Sequence, residues 1–242
     1  MTAIETQDLS KAYKGKAAVD GLTLKVEKGE LFALLGVNGA GKSTTIKMLS
    51  CLTPPTGGCA WILGDSVQEK AAEVKKKIDV SPQETAVAPN LSVRENLELM
   101  AGLHGALPKE ARVLAQEFIE TFQFQEIERQ RAKTLSGGWQ RRLSIAMALI
   151  SRPEVLFLDE PTLGLDVLAR RELWKVIEKL KGNVTVILTT HYLEEAQALS
   201  DRIGIMAKGK LCALGTACEL MERAGAASFE EAFVRLAGGE AV

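Results

Sequence analysis

Gly36-Val37-Asn38-Gly39-Ala40-Gly41-Lys42-Ser43-Thr44 decides how this chain is read. Just before it, Leu31-Phe32-Ala33-Leu34-Leu35 is a short apolar run of the kind a strand buried on both faces requires. Just after it, Thr45-Ile46-Lys47-Met48-Leu49 reads as the start of a helix. The order is strand, glycine loop, helix. Gly36, Gly41, Lys42 and Ser43 stand at the G-x-x-x-x-G-K-[ST] spacing of a phosphate-binding P-loop. Glycines let successive N–H groups turn inward on an anion, and the helix opening at Lys42 adds its positive dipole end. Gly36, Asn38, Gly39, Gly41, Lys42, Ser43 and Thr44 are therefore the expected phosphate cradle. Lys42 brings a full charge to the β/γ-phosphates, Ser43 a hydroxyl for Mg²⁺, and Thr44 a hydroxyl or N–H for phosphate. A chance glycine turn that holds a lysine would lack the strand before and the helix after.

The 242 residues suit one α/β domain, with or without a subdomain. Charged residues make up 25% of the chain and balance to −1, which argues against nucleic-acid binding by bulk charge. No apolar run approaches membrane-spanning length, and Met1-Thr2-Ala3-Ile4-Glu5 does not open a signal peptide. Cys51, Cys59, Cys212 and Cys218 lack C-x-x-C spacing, so reduced thiols in a cytosolic protein are expected rather than a zinc site.

Residues 2–8 and Val19–Glu27 read as strands of a small antiparallel sheet feeding the P-loop strand. Tyr13 lies between them, an aromatic able to stack on an adenine ring. Ala60–Gly64 reads as a strand, Lys70–Lys77 as a charged helix and Ile78–Val80 as a short strand, with Gln83 close behind. From Thr85 to about Thr134 the pattern is helical and strand-free. Ser92 and Glu95 form a capping box there, and Pro108–Phe122 is a helix expected to bury Val113, Leu114, Phe118, Ile119 and Phe122. A helix over Arg141–Ile150 follows, then Val155-Leu156-Phe157-Leu158-Asp159-Glu160, a strand ending in two acids. Val167–Lys181 is helical, Val184–Leu188 and Arg202–Met206 are strands, Lys208-Gly209-Lys210 turns a hairpin, and two short helices close the chain. The expected fold is α/β: a mostly parallel core sheet with an N-terminal antiparallel subdomain and an inserted helical subdomain. The core and antiparallel sheet take 1–83 and 154–215, the helical subdomain 84–153, and the C-terminal helices 216–242.

Asp159 ends a parallel strand, where ligands of open α/β sheets collect, and is placed to hold Mg²⁺. If the backbone turns there, Glu160 faces the γ-phosphate and orients or deprotonates an attacking water. A surface acid pair is the plainer alternative. His191 follows Leu188-Thr189-Thr190 off its own strand end, placed either to sense the γ-phosphate or to serve as a structural residue. Leu135-Ser136-Gly137-Gly138 makes a second anion-binding helix start. A head-to-tail dimer gives it a purpose, each Ser136 turn capping the γ-phosphate on the other subunit's P-loop. A serine N-cap alone explains the helix but not the second glycine.

With these residues in place, the chain resembles the ATP-binding-cassette (ABC) ATPases over nearly its whole length. The resemblance rests on Walker A (Gly36–Thr44), a Q-loop at Gln83, the signature Leu135–Gly138, Walker B (Val155–Asp159) with Glu160, a D-loop at Gly164-Leu165-Asp166, and the switch His191. It implies ATP and Mg²⁺ sandwiched between two cassettes, a homodimer or a paired cassette. It also implies Tyr13 on adenine, Gln83 on Mg²⁺ and relaying to the helical subdomain, Ser136, Gly137 and Gly138 on the opposite nucleotide, and Asp166 acting across the dimer. Lys42, Glu160 and His191 are then the catalytic residues, and Ser43, Gln83 and Asp159 the metal ligands. Two positions depart from the common wording: Trp139 stands where glutamine is usual, and Leu163-Gly164-Leu165-Asp166 replaces Ser-Ala-Leu-Asp. The wording from Asp159 to Asp166 and the short tail are most similar to single-cassette subunits of drug and small-molecule exporters. The implied partners are transmembrane permease subunits on separate chains, with this chain cytoplasmic and peripheral on the inner membrane face. A nucleotide-gated module without turnover, or a soluble ATPase of DNA repair or translation, is the alternative. The retained Glu160 and His191 argue against the first, the absence of heptads and of a second P-loop against the second.

Overall fold

The computed structural model describes residues 1–238. The chain opens with β1 (Thr2–Tyr13), β2 (Lys16–Glu27), β3 (Leu31–Leu35), α1 (Lys42–Leu49), β4 (Gly57–Ile62), β5 (Asp65–Ser66), α2 (Ala71–Lys75) and β6 (Ile78–Ser81). Helices follow: α3 (Val93–Leu103), α4 (Pro108–Thr121) and α5 (Gly137–Leu149). The rest alternates as β7 (Val155–Asp159), α6 (Val167–Glu178), β8 (Thr185–Thr190), α7 (Leu193–Leu199), β9 (Arg202–Ala207), β10 (Lys210–Gly215), α8 (Ala217–Ala224) and α9 (Phe229–Leu236).

One sheet is antiparallel, in the order β2-β1-β4-β5; the other runs β10-β9-β3-β8-β7-β6. In the second sheet every pairing is parallel except β10 with β9. β3 sits inside it, and all five of its residues are fully buried, which is why Leu31–Leu35 carries no polar side chain. Its side chains alternate between faces. Phe32 and Leu34 pack into the core shared with α1 and the antiparallel sheet. Leu31 joins the core built by the helical segment, and Ala33 and Leu35 pack towards α7, α8 and α9. This is a P-loop NTPase fold with an N-terminal antiparallel β-subdomain, a mostly parallel core sheet and an α-helical subdomain.

Four local expectations need correction. β1 and β2 are longer than the alternation suggests, because register shifts at Thr6/Leu9, Leu9/Lys11 and Lys11/Ala12 break the two-residue period. α5 starts at Gly137 rather than Arg141, two glycines of low helix propensity having hidden its first turn. α2 spans only Ala71–Lys75. Val113 is exposed, at 68%, because α4 buries Ala111, Ala115, Phe118 and Ile119, one helical stripe from which Val113 is displaced by two residues. Residues 239–242, the end of the expected C-terminal unit, lie outside the described residues.

The helical segment is fastened to its lead-in loop by Asn96, wholly buried on α3. Its Oδ1 accepts from Ala88 N at 2.7 Å, and its Nδ2 lies 3.1, 3.3 and 2.9 Å from the carbonyls of Ala88, Leu91 and Ser92. Asn96→Ala strands the Ala88 N–H and is expected to cost about 1–3 kcal/mol, read as a lower urea midpoint at unchanged m-value.

Candidate active site

Parallel register brings the site together. Leu35 at the end of β3 pairs with Thr190 at the end of β8, and Asp159 at the end of β7 pairs with Thr189. The P-loop, the acid pair and His191 therefore leave the sheet along one edge. Gly36 N–H donates to Thr190 O at 3.2 Å, tying the loop's first residue to the residue before the histidine. A Cβ on Gly36 would stand 2.3 Å from Met206 O, so no other residue fits. Gly41 has φ +106°, and a Cβ there would meet Ala18 O at 2.5 Å.

The loop rims a cavity of about 420 Å³. Residues 38–44 form one wall, with Gln83, Glu160 and His191 opposite and Ala18 and Leu163 at its edges. Lys42 Nζ donates to Gly36 O at 2.7 Å and lies 3.1 Å from Glu160 Oε1, both side chains being almost wholly buried. Glu160 Oε2 lies 2.8 Å from His191 Nδ1. A carboxylate oxygen accepts, so in this contact Nδ1 is the donor. The chain turns at Glu160 in the left-handed region, φ +49°, uncommon for a side-chain-bearing residue. That turn sets two consecutive acids on different partners in the loop, Glu160 on Lys42 and Asp159 on Ser43, of which Glu160 lines the cavity. Thr189 holds it, accepting the Glu160 N–H at 3.1 Å through both its carbonyl and its hydroxyl.

Ser43 Oγ donates to Asp159 Oδ1 at 3.0 Å, and Thr189 Oγ1 donates to the same oxygen at 2.5 Å. A serine hydroxyl and a carboxylate converging beside a phosphate cradle are hard oxygen donors, a set that fits Mg²⁺. Gln83 is fixed through its backbone. Arg141 of α5 donates to Pro82 O at 2.5 Å and to Gln83 O. Burial lowers the Arg141 pKa, and the charges of Asp159 and Glu195 oppose that.

Tyr13, Ser136, Gly137, Gly138 and Asp166 do not line this cavity. Tyr13 ends β1, 45% exposed, with Lys11 Nζ 5.3 Å from its ring centroid. Asp166 caps α6 by accepting from Ala169 N at 2.9 Å. Ser136 precedes α5 in extended conformation, and its side chain makes no capping bond. The two signature glycines differ. A Cβ on Gly138 would stand 3.0 Å from Ala169 Cβ, so close packing of α5 on α6 accounts for the second glycine. A Cβ on Gly137 meets only Leu165 Cδ2 at 3.8 Å, so packing does not account for the first. Trp139 turns into the helical segment, its ring centroid 6.0 Å from that of Phe124 with Arg142 over its face at 4.7 Å. Sequence reasoning missed Thr189 and Arg141; the signals were a threonine pair before His191 and two arginines inside an otherwise buried helix.

A P-loop lysine and serine in contact with the acid pair at the end of β7 define a nucleoside-triphosphate-binding ATPase. The family model for ABC transporters matches residues 19–163, more than half of the chain. The chain is 44% identical over 224 residues to the daunorubicin/doxorubicin resistance ATP-binding protein DrrA of Streptomyces peucetius, covering 92% of this chain and 68% of that one. It is 40% identical over 223 residues to the linearmycin resistance ATP-binding protein LnrL of Bacillus subtilis, covering 92% and 72%. It spans only about a quarter of the length of plant ABC transporter A family members, 25% of one that is 41% identical. A solved ATP-binding subunit of an ABC transporter superposes with a TM-score of 0.85 at 29% identity, covering 97% of this chain and 99% of that one. A dimeric ATP-binding cassette in a post-hydrolysis state, bound to ADP and Pi, superposes at 0.79 with 27% identity, covering 88% and 98%. The chain belongs to the ABC transporter family as an ATP-binding cassette subunit, an ABC-type ATPase related to drug-resistance ATP-binding proteins.

Lys42 is paired with a buried carboxylate, so an anion entering the loop competes with Glu160 for it. Lys42→Ala is expected to weaken a labelled ATP analogue by at least about tenfold, because it removes the charge-assisted contacts of the loop. Glu160→Gln removes the competing anion, and its affinity should equal or exceed that of the unchanged protein; titration of the two variants side by side checks both.

Proposed function

We propose that this chain powers an exporter, working as one half of a head-to-tail cassette pair that drives separate membrane subunits. The observation that carries the reading is the separation of two anion-binding elements. The P-loop cavity holds Lys42, Ser43, Glu160 and His191, while Ser136 and Gly137 stand outside it with no packing reason for Gly137. A second cassette would use them, its triphosphate meeting the free N–H groups at the start of α5. The solved cassette dimer that this chain resembles supports pairing, and the resistance proteins among its relatives support export.

In this reading Asn38, Gly39, Gly41, Lys42 and Thr44 bind the phosphates, and Tyr13 stacks on the adenine. Ser43, Asp159 and Gln83 would hold Mg²⁺, which when bound polarises phosphate oxygens. Glu160 takes the proton of the attacking water, and His191, hydrogen-bonded to Glu160 through Nδ1, turns Nε2 to the γ-phosphate. Asp166 acts across the pair. Gln83 reports to the helical segment, and the groove near Gln83 and residues 84–100 receives the membrane partner. Among the described residues no helix is long and apolar enough to cross a membrane. The partner then holds the chain at the inner face of the cell membrane.

Glu160→Gln should slow steady-state ATP hydrolysis by about 10²–10⁴, the usual worth of a general base. Turnover at the unchanged rate would remove Glu160 from the chemistry. The same variant should dimerise with ATP and not with ADP, because the γ-phosphate is the group that differs between the states. Ser136→Glu added to it should abolish dimerisation by repulsion while leaving ATP binding intact. Light scattering coupled to size exclusion decides, and a double variant that still pairs as readily would reject the sandwich.

A further inference from the structure

Two residues past His191 the chain enters α7, which turns Glu195 inward until none of it reaches solvent. The carboxyl is a meeting point. Its Oε1 accepts the indole N–H of Trp174, on α6, at 3.0 Å. Thr190 ends β8 beside His191, and Thr162 follows Glu160 by two residues; both hydroxyls face the same carboxyl. Glu195 Oε2 and Thr162 Oγ1 are each buried with no hydrogen-bond partner among the described residues. No part of the chemistry above uses this group.

An ionised carboxylate here would be costly, since a buried charge needs a counter-ion. The charged groups around it are Glu160, whose negative charge disfavours ionisation, and Arg141, which faces both Glu195 and Asp159 and is committed to the carbonyls of Pro82 and Gln83. Burial is the largest influence and pushes the Glu195 pKa up; the two hydroxyls and the indole oppose it, and Glu160 adds to it. A protonated carboxyl both accepts and donates. Oε1 accepts from the indole N–H, and Oε2 and Thr162 Oγ1 are left as two buried polar atoms with no other partner among the described residues.

We propose that Glu195 is a positioning residue for ATP hydrolysis, a buried carboxyl that Trp174 of α6 holds against the loop after Glu160 and the end of β8 before His191. It touches no substrate. It acts through Thr162 and Thr190, and α6 is the helix that Asp166 caps, so one carboxyl joins the acid, the histidine and the D-loop helix. The proposal rests on the roles given to Glu160 and His191.

Four variants test it: Glu195→Gln, Glu195→Ala, Trp174→Phe and, as a control on the site, His191→Ala. Glutamine keeps one acceptor and one donor arm and should restore kcat to within about threefold of the unchanged protein. Alanine and Trp174→Phe should lower kcat by about ten- to a hundredfold, the scale of a small misplacement of reacting groups, with KM for ATP within about twofold. The second readout is thermal stability against pH. A carboxyl whose folded pKa is raised above the unfolded value of about 4.3 costs stability increasingly as pH rises from there to the folded pKa. Glutamine has no such cost, so the Tm of Glu195→Gln minus that of the unchanged protein should grow as pH rises above the unfolded carboxyl value. Equal kcat losses for glutamine and alanine, a Tm difference flat with pH, or unchanged kcat in Trp174→Phe overturns the proposal. Trp174→Phe carries the kinetic test if the alanine variant does not fold. Unchanged kcat in His191→Ala rejects the site reading itself, and the proposal with it.

Discussion

Parallel pairing of β3 with β8, and of β8 with β7, sends three strand ends to one edge of the sheet. Everything in the site depends on that register. Slipping β8 by one residue would reverse the faces of Thr189 and Thr190 and undo both the grip on Asp159 and the turn at Glu160. The sheet can hold this register because its central strand is wholly buried. An exposed parallel strand would have no such packing to specify which side chain faces which core.

At that edge a buried cation and a buried anion face each other 3.1 Å apart. Isolated, either would be costly to bury; together, with two carbonyls on the lysine and a histidine on the glutamate, they satisfy one another. The arrangement is self-contained rather than poised. On the reading proposed above, a triphosphate entering it gives Lys42 a new partner and releases Glu160 with His191 still attached. Nucleotide binding and assembly of the proposed hydrolytic pair are then one exchange of ionic partners.

How much of this was legible in the sequence follows from what each element needs. The P-loop strand, the acid pair and His191 announce themselves because uninterrupted apolar runs end abruptly in polar residues. The full lengths of β1 and β2 were hidden because bulges break the alternation that marks a strand. The first turn of α5 was hidden because Gly137 and Gly138 are poor helix formers, and in Gly138 the cause is tertiary, the approach of Ala169. Val113 was misplaced because an alanine stripe, not the larger side chains alone, faces inward on α4. Glu195 was invisible. In Leu193-Glu194-Glu195-Ala196 nothing local says which glutamate turns inward.

α5 explains why those glycines matter beyond packing. Its start carries Ser136 and Gly137, and one turn later Arg141 grips the carbonyls of Pro82 and Gln83. Further along, Ser144 Oγ lies 3.1 Å from Ser81 Oγ on β6. The helix is buried from Arg141 to Leu149, so it cannot bend freely to absorb a displacement. A shift of Gln83, whichever side imposes it, must therefore move the start of α5 or break buried hydrogen bonds from an arginine. In the head-to-tail pair proposed above, that end meets the other subunit's nucleotide. On that reading the same rigid rod links Gln83 on one side to the helix start that closes on the other.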